Sequence, residues 1–382
     1  MKTTPWAALA LCIALAMPVQ AAAPKSAVLM DVATGTILSE SNPHQALAPA
    51  SVTKVMTLLL IMEAIDSGRI GWDDRVTASE AAAAKGGSQV YLKVGETMTV
   101  SDMVKSIAVS SANDCACAMA EFLAGSEAAF VDQMNARAAE LGMKDTHFVN
   151  CTGLDDDPSA KDHKTSAHDI AVMSRELLAN HSDIKKFTTI WMDTIRDGAF
   201  GLSNTNKMVR YYPGCTGLKT GFTSSAGYCL SASAQRDGLE LIAVVMGAET
   251  SQERFAACKE MLDQGFAAYA LYEPAVQEGA SVPVVLGRRE SVGAVPAENP
   301  RLLVEKARLG TITTEITLDP QVSAPVAAGQ KLGEMTVRAG EDILTTIDLV
   351  AAEEVPKLTW GEVTVQILKQ IAMAQNTADS ID

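Results

Sequence analysis

Apolar positions change their spacing along the chain, and each change marks a different element. After Lys2 comes an apolar run from Ala7 to Met17, closed by the small-residue segment Val19-Gln20-Ala21. The run is too short to span a bilayer, and its basic, apolar, small order is that of an export signal ending at residue 21. Ser26 to Glu40 read as two strands joined at Ala33-Thr34-Gly35. Helical spacing then covers Val52 to Ile65, Val100 to Leu123, Glu127 to Leu141 and Ala167 to Leu178. Strand patterning returns from Gly217 through Tyr228 to Ala232 and from Leu239 to Met246, with Asp237-Gly238 as a turn. Ser251 to Ala268 reads as a helix that packs back on that sheet. Helices nested between sheet segments predict one discontinuous α+β domain, a sheet flanked by helices with an all-helical subregion.

From about Tyr272 the texture becomes rich in Val, Pro and Gly, with short strands such as Ser281 to Leu286, Gly310 to Leu318 and Ile343 to Val350. These predict a small all-β domain. Thr359 to Asn376 carries apolar Trp360, Val363, Ile367, Leu368 and Ile371, the stripe of an amphipathic helix. The divisions expected are 1–21, 22–272, 273–356 and 357–382. A mature chain of this length exceeds one ordinary domain.

A formal net charge of -15 changes the picture of partners. Nucleic-acid binders carry basic patches that displace counterions, so that class is excluded. An anionic ligand would have to be captured by local lysines and arginines against the overall field. Of the seven cysteines, Cys115, Cys117, Cys151, Cys215, Cys229 and Cys258 follow the signal. An even number in an exported chain permits disulfides without fixing their connectivity. Cys115 and Cys117 lie two apart on a helical run, point to different faces and read as small buried apolar groups. No Cys-x-x-Cys or His-Glu-x-x-His spacing occurs, and the five histidines are scattered, so neither a metal nor another cofactor is expected.

Three short motifs carry chemistry: Ser51-Val52-Thr53-Lys54, Ser111-Ala112-Asn113 and Lys219-Thr220-Gly221. A Ser-x-x-Lys or Ser-x-Asn arises about once by chance in a chain of this size, and Lys-Thr-Gly on the order of 0.1 times. Ser182-Asp183-Ile184-Lys185 also fits the first pattern, but its surroundings are polar. Ser51 differs because Pro49-Ala50 precedes it and the apolar helix Val55 to Ile65 follows. That context places the hydroxyl at the positive end of a buried helix with the Lys54 amine on the same face. Burial disfavours the charged ammonium, which lets Lys54 accept the serine proton. Ser111-Ala112-Asn113 forms a corner that can present a hydroxyl and an amide to a cleft. Lys219-Thr220-Gly221 opens a strand, where glycine allows close approach by a ligand or a second chain and an extended peptide could add to the edge.

Together the trio resembles that of β-lactamases and penicillin-binding proteins. Over its mature length the chain resembles the serine D-alanyl-D-alanine carboxypeptidases, low-molecular-mass penicillin-binding proteins. The likeness extends to Pro49 through Thr57, Asn204-Thr205-Asn206, Gly217 through Thr223 and Ala226-Gly227-Tyr228. It implies a β-lactamase/transpeptidase-like catalytic domain over 22–272, a small β-sandwich-like domain over 273–356 and a C-terminal amphipathic helix with peripheral membrane contact. It implies an extracytoplasmic location, in the cell wall or periplasm. The implied substrate is a peptidoglycan stem peptide ending in D-Ala-D-Ala, with β-lactams as covalent ligands of Ser51. By resemblance Ser51, Lys54 and Ser111 are catalytic, Ser111 relaying a proton to the leaving amine. Asn113, Lys219, Thr220, Gly221, Phe222, Thr223 and Arg254 bind substrate. The backbone N–H groups of Ser51 and Phe222 would form the oxyanion hole.

Two positions depart from the family pattern: Phe222 and Thr152 stand where members often carry histidine. Lys369 against Glu362 leaves the terminal helix weakly basic for an anionic membrane surface. Other readings of the same motifs are a β-lactamase, a DD-endopeptidase or transpeptidase, and a non-catalytic cell-wall binding module. The segment Cys151 to Asp169 contains no Glu to position a deacylating water, which disfavours the β-lactamase.

Overall fold

The strand-patterned segments at either end of the first unit meet in one antiparallel sheet. Its strands are β1 (Ser26–Asp31), β2 (Ile37–Ser41), β3 (Cys215–Thr223), β4 (Gly227–Arg236) and β5 (Leu239–Ala248), in the order β2-β1-β5-β4-β3. The computed structural model describes residues 23–275, 279–298, 300–365 and 367–368. The expected export signal lies outside them. Every residue of central β5 is buried. Alternate side chains explain this: Ile242, Val244 and Met246 face one apolar core, while Leu239, Leu241, Ala243 and Val245 face the other.

Six longer helices build the two layers: α1 (Lys54–Asp66), α2 (Val100–Ser110), α3 (Asn113–Ala124), α4 (Glu127–Glu140), α5 (Ala167–Asn180) and α6 (Ser251–Ala268). Helix α6 lies alone on the β4 and β5 face, with Cys258, Leu262 and Phe266 inward. On the other face, α1 is buried continuously from Lys54 to Met62 and packs against α3 and α5. A helix apolar all round belongs in an interior.

The single helical segment expected over Val100 to Leu123 is two helices. Ser111 adopts φ 62°, a left-handed cap whose N–H reaches the Ile107 carbonyl, and α3 restarts at Asn113. Apolar periodicity continues on both sides of the break, and the corner expected at Ser111-Ala112-Asn113 is where it falls.

Beyond residue 272 the expected sandwich-like layering takes the form of one curled six-stranded sheet. Its strands are β6 (Ser281–Val285), β7 (Ser291–Pro296), β8 (Ile312–Leu318), β9 (Val322–Ser323), β10 (Lys331–Ala339) and β11 (Asp342–Ala351), in the order β8-β10-β11-β7-β6-β9. Val282, Val292, Leu332, Met335, Val337 and Leu349 fill its core. A ribbon pairing Tyr269–Tyr272 with Leu302–Glu305 joins it to the end of α6. Helical geometry covers 360–365 and 367–368; the rest of the expected amphipathic helix lies outside the described residues. No helix among the described residues is long and apolar enough to cross a membrane. The six cysteines of the described chain are free thiols.

Candidate active site

Ser51 sits on a 3-10 turn, Ala50–Thr53, that feeds directly into α1. With about three residues per turn, such a turn aligns positions i and i+3. The Lys54 amine therefore donates to Ser51 Oγ at 3.0 Å. The turn is strained at its first residue, where Ala50 adopts φ 49°, a region costing on the order of 1 kcal/mol for a non-glycine residue. Thr53 Oγ1 donates to the Ala50 carbonyl at 2.8 Å, and His163 Nε2 lies 2.8 Å from the same hydroxyl. Since Val149 N–H donates to His163 Nδ1, the Nε2 position carries the proton and donates to Thr53. Burial, helped by His147 and Lys54, lowers His163 to about 4, so this brace stays neutral.

Two glycines allow the walls to close on this turn. A Cβ on Gly221 would lie 2.7 Å from the Pro49 carbonyl oxygen and 3.0 Å from the Ser51 nitrogen. The sequence suggested approach of a ligand or a second chain at Gly221; the close neighbour is the chain's own turn at Pro49 to Val52. A Cβ on Gly153, at φ 80°, would fall 1.8 Å from the Ala50 carbonyl oxygen. Gly153 belongs to the 150–157 loop, whose Thr152 carbonyl accepts a second bond from Lys54 Nζ at 2.7 Å.

Lys54 is fully buried. Desolvation pushes its amine down from 10.5 to about 7, with Cys151 and buried Asp114 offsetting part of the effect. Near neutral pH a large share of this lysine is thus unprotonated and able to accept a proton. Lys219 is 1% exposed and is pushed well below the usual lysine range by burial, then by Lys54 and Arg254. Its amine donates to the Thr220 carbonyl at 2.8 Å, and the Thr220 hydroxyl donates to Thr205 Oγ1 at 2.7 Å. Lys54, Lys219 and Arg254 are three buried basic groups with no carboxylate at bonding distance among the described residues, a setting that an anionic ligand would stabilise.

Ser111 and Asn113 sit at the corner between α2 and α3. Ser111 is 3% exposed. Asn113 Nδ2 donates to the Gly86 carbonyl at 2.7 Å, while its Oδ1 is buried without a partner. An unpaired amide oxygen at this depth is costly unless a ligand N–H fills it. Arg254 comes from α6 and passes beneath the sheet, donating to the Gly221 and Cys229 carbonyls at 2.9 and 3.3 Å. Its contribution to the cleft is charge and support of β3. Phe222 remains 52% exposed and stacks on Tyr228 with ring centroids 4.3 Å apart. Thr223 lies at the end of β3, its hydroxyl 3.1 Å from Ser225 Oγ.

The structure brings Ser51, Lys54 and the Lys219 to Thr223 strand together, with Arg254 behind that strand, sets Asn113 close to Gly87, and places Ser111 at the cap between α2 and α3. Sequence reasoning did not find the Thr152 carbonyl or the His163 to Thr53 brace. Both act across long stretches of chain, and a backbone acceptor leaves no residue-type signal.

The chain is similar to known proteins in sequence and fold. The family described as D-alanyl-D-alanine carboxypeptidase matches residues 14–250, and the penicillin-binding protein 5 C-terminal domain matches residues 273–357. The D-alanyl-D-alanine carboxypeptidase DacF of Bacillus subtilis is 43% identical over 340 residues, spanning 87% of this chain and 86% of the relative. The crystal structure of penicillin binding protein 6B from Escherichia coli superposes with a TM-score of 0.70 at 32% identity, covering 88% of this chain and 97% of the other. Penicillin-binding protein D2 from Listeria monocytogenes, solved in an ampicillin-bound form, gives a TM-score of 0.58 at 31% identity, over 64% of this chain and 97% of its own.

Proposed function

The chain belongs to the D-alanyl-D-alanine carboxypeptidase family, and from that premise we propose that Ser51 is the nucleophile that removes the terminal D-alanine of a peptidoglycan stem peptide. The observation that carries the assignment is the 3.0 Å contact between Ser51 Oγ and a fully buried Lys54 lowered to about 7.

Ser51 Oγ attacks the carbonyl carbon between the two D-alanines while neutral Lys54 takes the hydroxyl proton. The developing oxyanion is met by the Ser51 and Phe222 backbone N–H groups; one such donor is worth about 3–4 kcal/mol. Ser111 relays the proton held by Lys54 to the leaving amine, the C–N bond breaks, and D-alanine departs. Water then attacks the acyl-enzyme ester, its proton passing to Lys54 and on to Ser51 Oγ as the ester C–O bond breaks, which restores both groups. Asn113 Oδ1, unpaired in the free enzyme, accepts the substrate amide N–H. Lys219, Thr220 and Thr223 take the terminal carboxylate, with Arg254 adding positive field from below β3. A β-lactam presents a strained amide and a carboxylate in the same relation, and it acylates Ser51 without a leaving group that diffuses away.

The chain acts outside the cytoplasm, a reading supported by the signal-like residues 1–21 and by the family's wall substrate. Trp360, Val365, Ile367 and Leu368 are exposed and form the start of an apolar face for peripheral contact with the membrane. Removing residues 359–382 should release the protein from sedimented membranes; an unchanged bound fraction would refute the contact.

The deciding experiment is D-alanine release from a peptide ending in D-alanyl-D-alanine. Ser51→Ala should lower kcat by about 10⁴-fold or more. Equal rates for the two proteins would end the serine assignment.

A further inference from the structure

A carboxylate of the protein itself already touches the hydroxyls at the mouth of the cleft. Ser225 Oγ donates to Asp155 Oδ2 at 2.6 Å, and Thr223 Oγ1 stands 3.1 Å from Ser225 Oγ. With the Ser225 proton given to Asp155, the Thr223 hydroxyl is the donor to Ser225, and its oxygen accepts the Ala226 N–H at 3.2 Å. Ser225 and then Thr223 hold the Asp155 carboxyl below the ordinary aspartate range. Asp155 is exposed, and it is followed by the acidic residues Asp156 and Asp157. Its loop is not a free tether. Thr152, three residues earlier, gives its carbonyl to Lys54, and Gly153 is wedged against Ala50.

From this geometry we infer that Asp155 is an internal competitor for the carboxylate end of the substrate, a specificity-determining latch that closes the free cleft from the 150–157 loop to the end of β3. The inference rests on the reading that Thr223 takes part in binding the substrate carboxylate. In the free enzyme Asp155 occupies the outer part of that hydroxyl cluster. A ligand with a free carboxylate displaces it by making the same bonds and, in addition, reaching the buried cations Lys219 and Arg254. A ligand whose terminal carboxylate is masked makes neither set and leaves the latch shut. Discrimination therefore arises from an anion that must be replaced, as well as from the cations that attract the replacement. Ser225 is the donor to Asp155, so the two residues act as one device.

The test compares Asp155→Asn and Asp155→Ala with the full-length wild type, using a peptide ending in D-alanyl-D-alanine and the same peptide with a C-terminal amide. Loss of one charge-assisted hydrogen bond should lower KM for the free acid by about 3–10-fold, with kcat within about twofold. The amide should show no comparable gain, so preference for the acid widens. Ser225→Ala should lower KM in the same direction. An unchanged or raised KM for the free acid in both Asp155 variants would overturn the latch. An equal gain on the amide would do so too, because a merely loosened loop would admit both peptides alike. Ser51→Ala run beside them separates the two failures: persistence of its activity would sink the nucleophile assignment, whereas loss of its activity with unaltered Asp155 variants would sink only the latch.

Discussion

The two units of this molecule handle charge in opposite ways. Around Ser51 the chain buries Lys54, Lys219 and Arg254, leaves Asn113 Oδ1 and Arg254 Nε unpaired, and strains Ala50. In the curled sheet beyond residue 272 the core is aliphatic, and among the described residues no charged or polar side chain is buried. Its charges sit outside in pairs, as Lys331 with Glu334 and Asp348, or Arg308 with Asp342. The first unit forgoes stability to keep its groups reactive. The second, among its described residues, buries apolar side chains alone. Chemistry is found where the folding rules are broken together.

Substitutions can break this contrast. The largest effect is expected at Lys54→Met, which keeps volume and removes the base. The rate of D-alanine release should fall by about 10³–10⁴-fold, while unfolding in urea should show a protein more stable by about 1–3 kcal/mol, since a costly buried cation has gone. Loss of both activity and stability would mean that the lysine is structural.

Next comes Leu349→Ala in the curled sheet. A fully buried leucine there should cost about 2–5 kcal/mol, read as an earlier urea transition, with kcat unchanged. A parallel loss of kcat would show that the units are coupled. The smallest effect is expected at Lys331→Ala. The exposed amine is raised above its ordinary range by Asp348 and then Glu334, yet solvent screens such pairs. Its Tm should stay within error of wild type, and a clear shift would assign the pair a role in the fold.

Much of this contrast was legible in the sequence. The spacing of apolar residues gave the nested α+β plan and the change of texture near Tyr272. Lys54 stood out because a lysine directly followed by Val55 to Ile65 has to be desolvated. The corner at Ser111-Ala112-Asn113 was legible in its polar residues, whereas the left-handed backbone of Ser111 was not. Gly221 read as room for a ligand, but its neighbour is the turn before Ser51, a contact set by tertiary approach. Three adjacent acids from Asp155 to Asp157 signal exposure, and nothing in them signals the bond that Asp155 accepts from Ser225. Local pattern reports burial well, and long-range hydrogen bonds poorly.

Catalysis depends most on Lys54 being a base made available by burial. Its proton affinity is lower in the folded than in the unfolded chain, so stability contributed by this group rises with pH between about 7 and 10.5. Below about 7 the amine is protonated and cannot accept the Ser51 proton. The direct measurement is the rate constant for acylation of Ser51 by a penicillin as a function of pH. The rate should fall on the acid side with a midpoint near 7 and disappear in Lys54→Met. A rate that stays flat to about pH 5, or rises only near the 10.5 of an ordinary lysine, would contradict it.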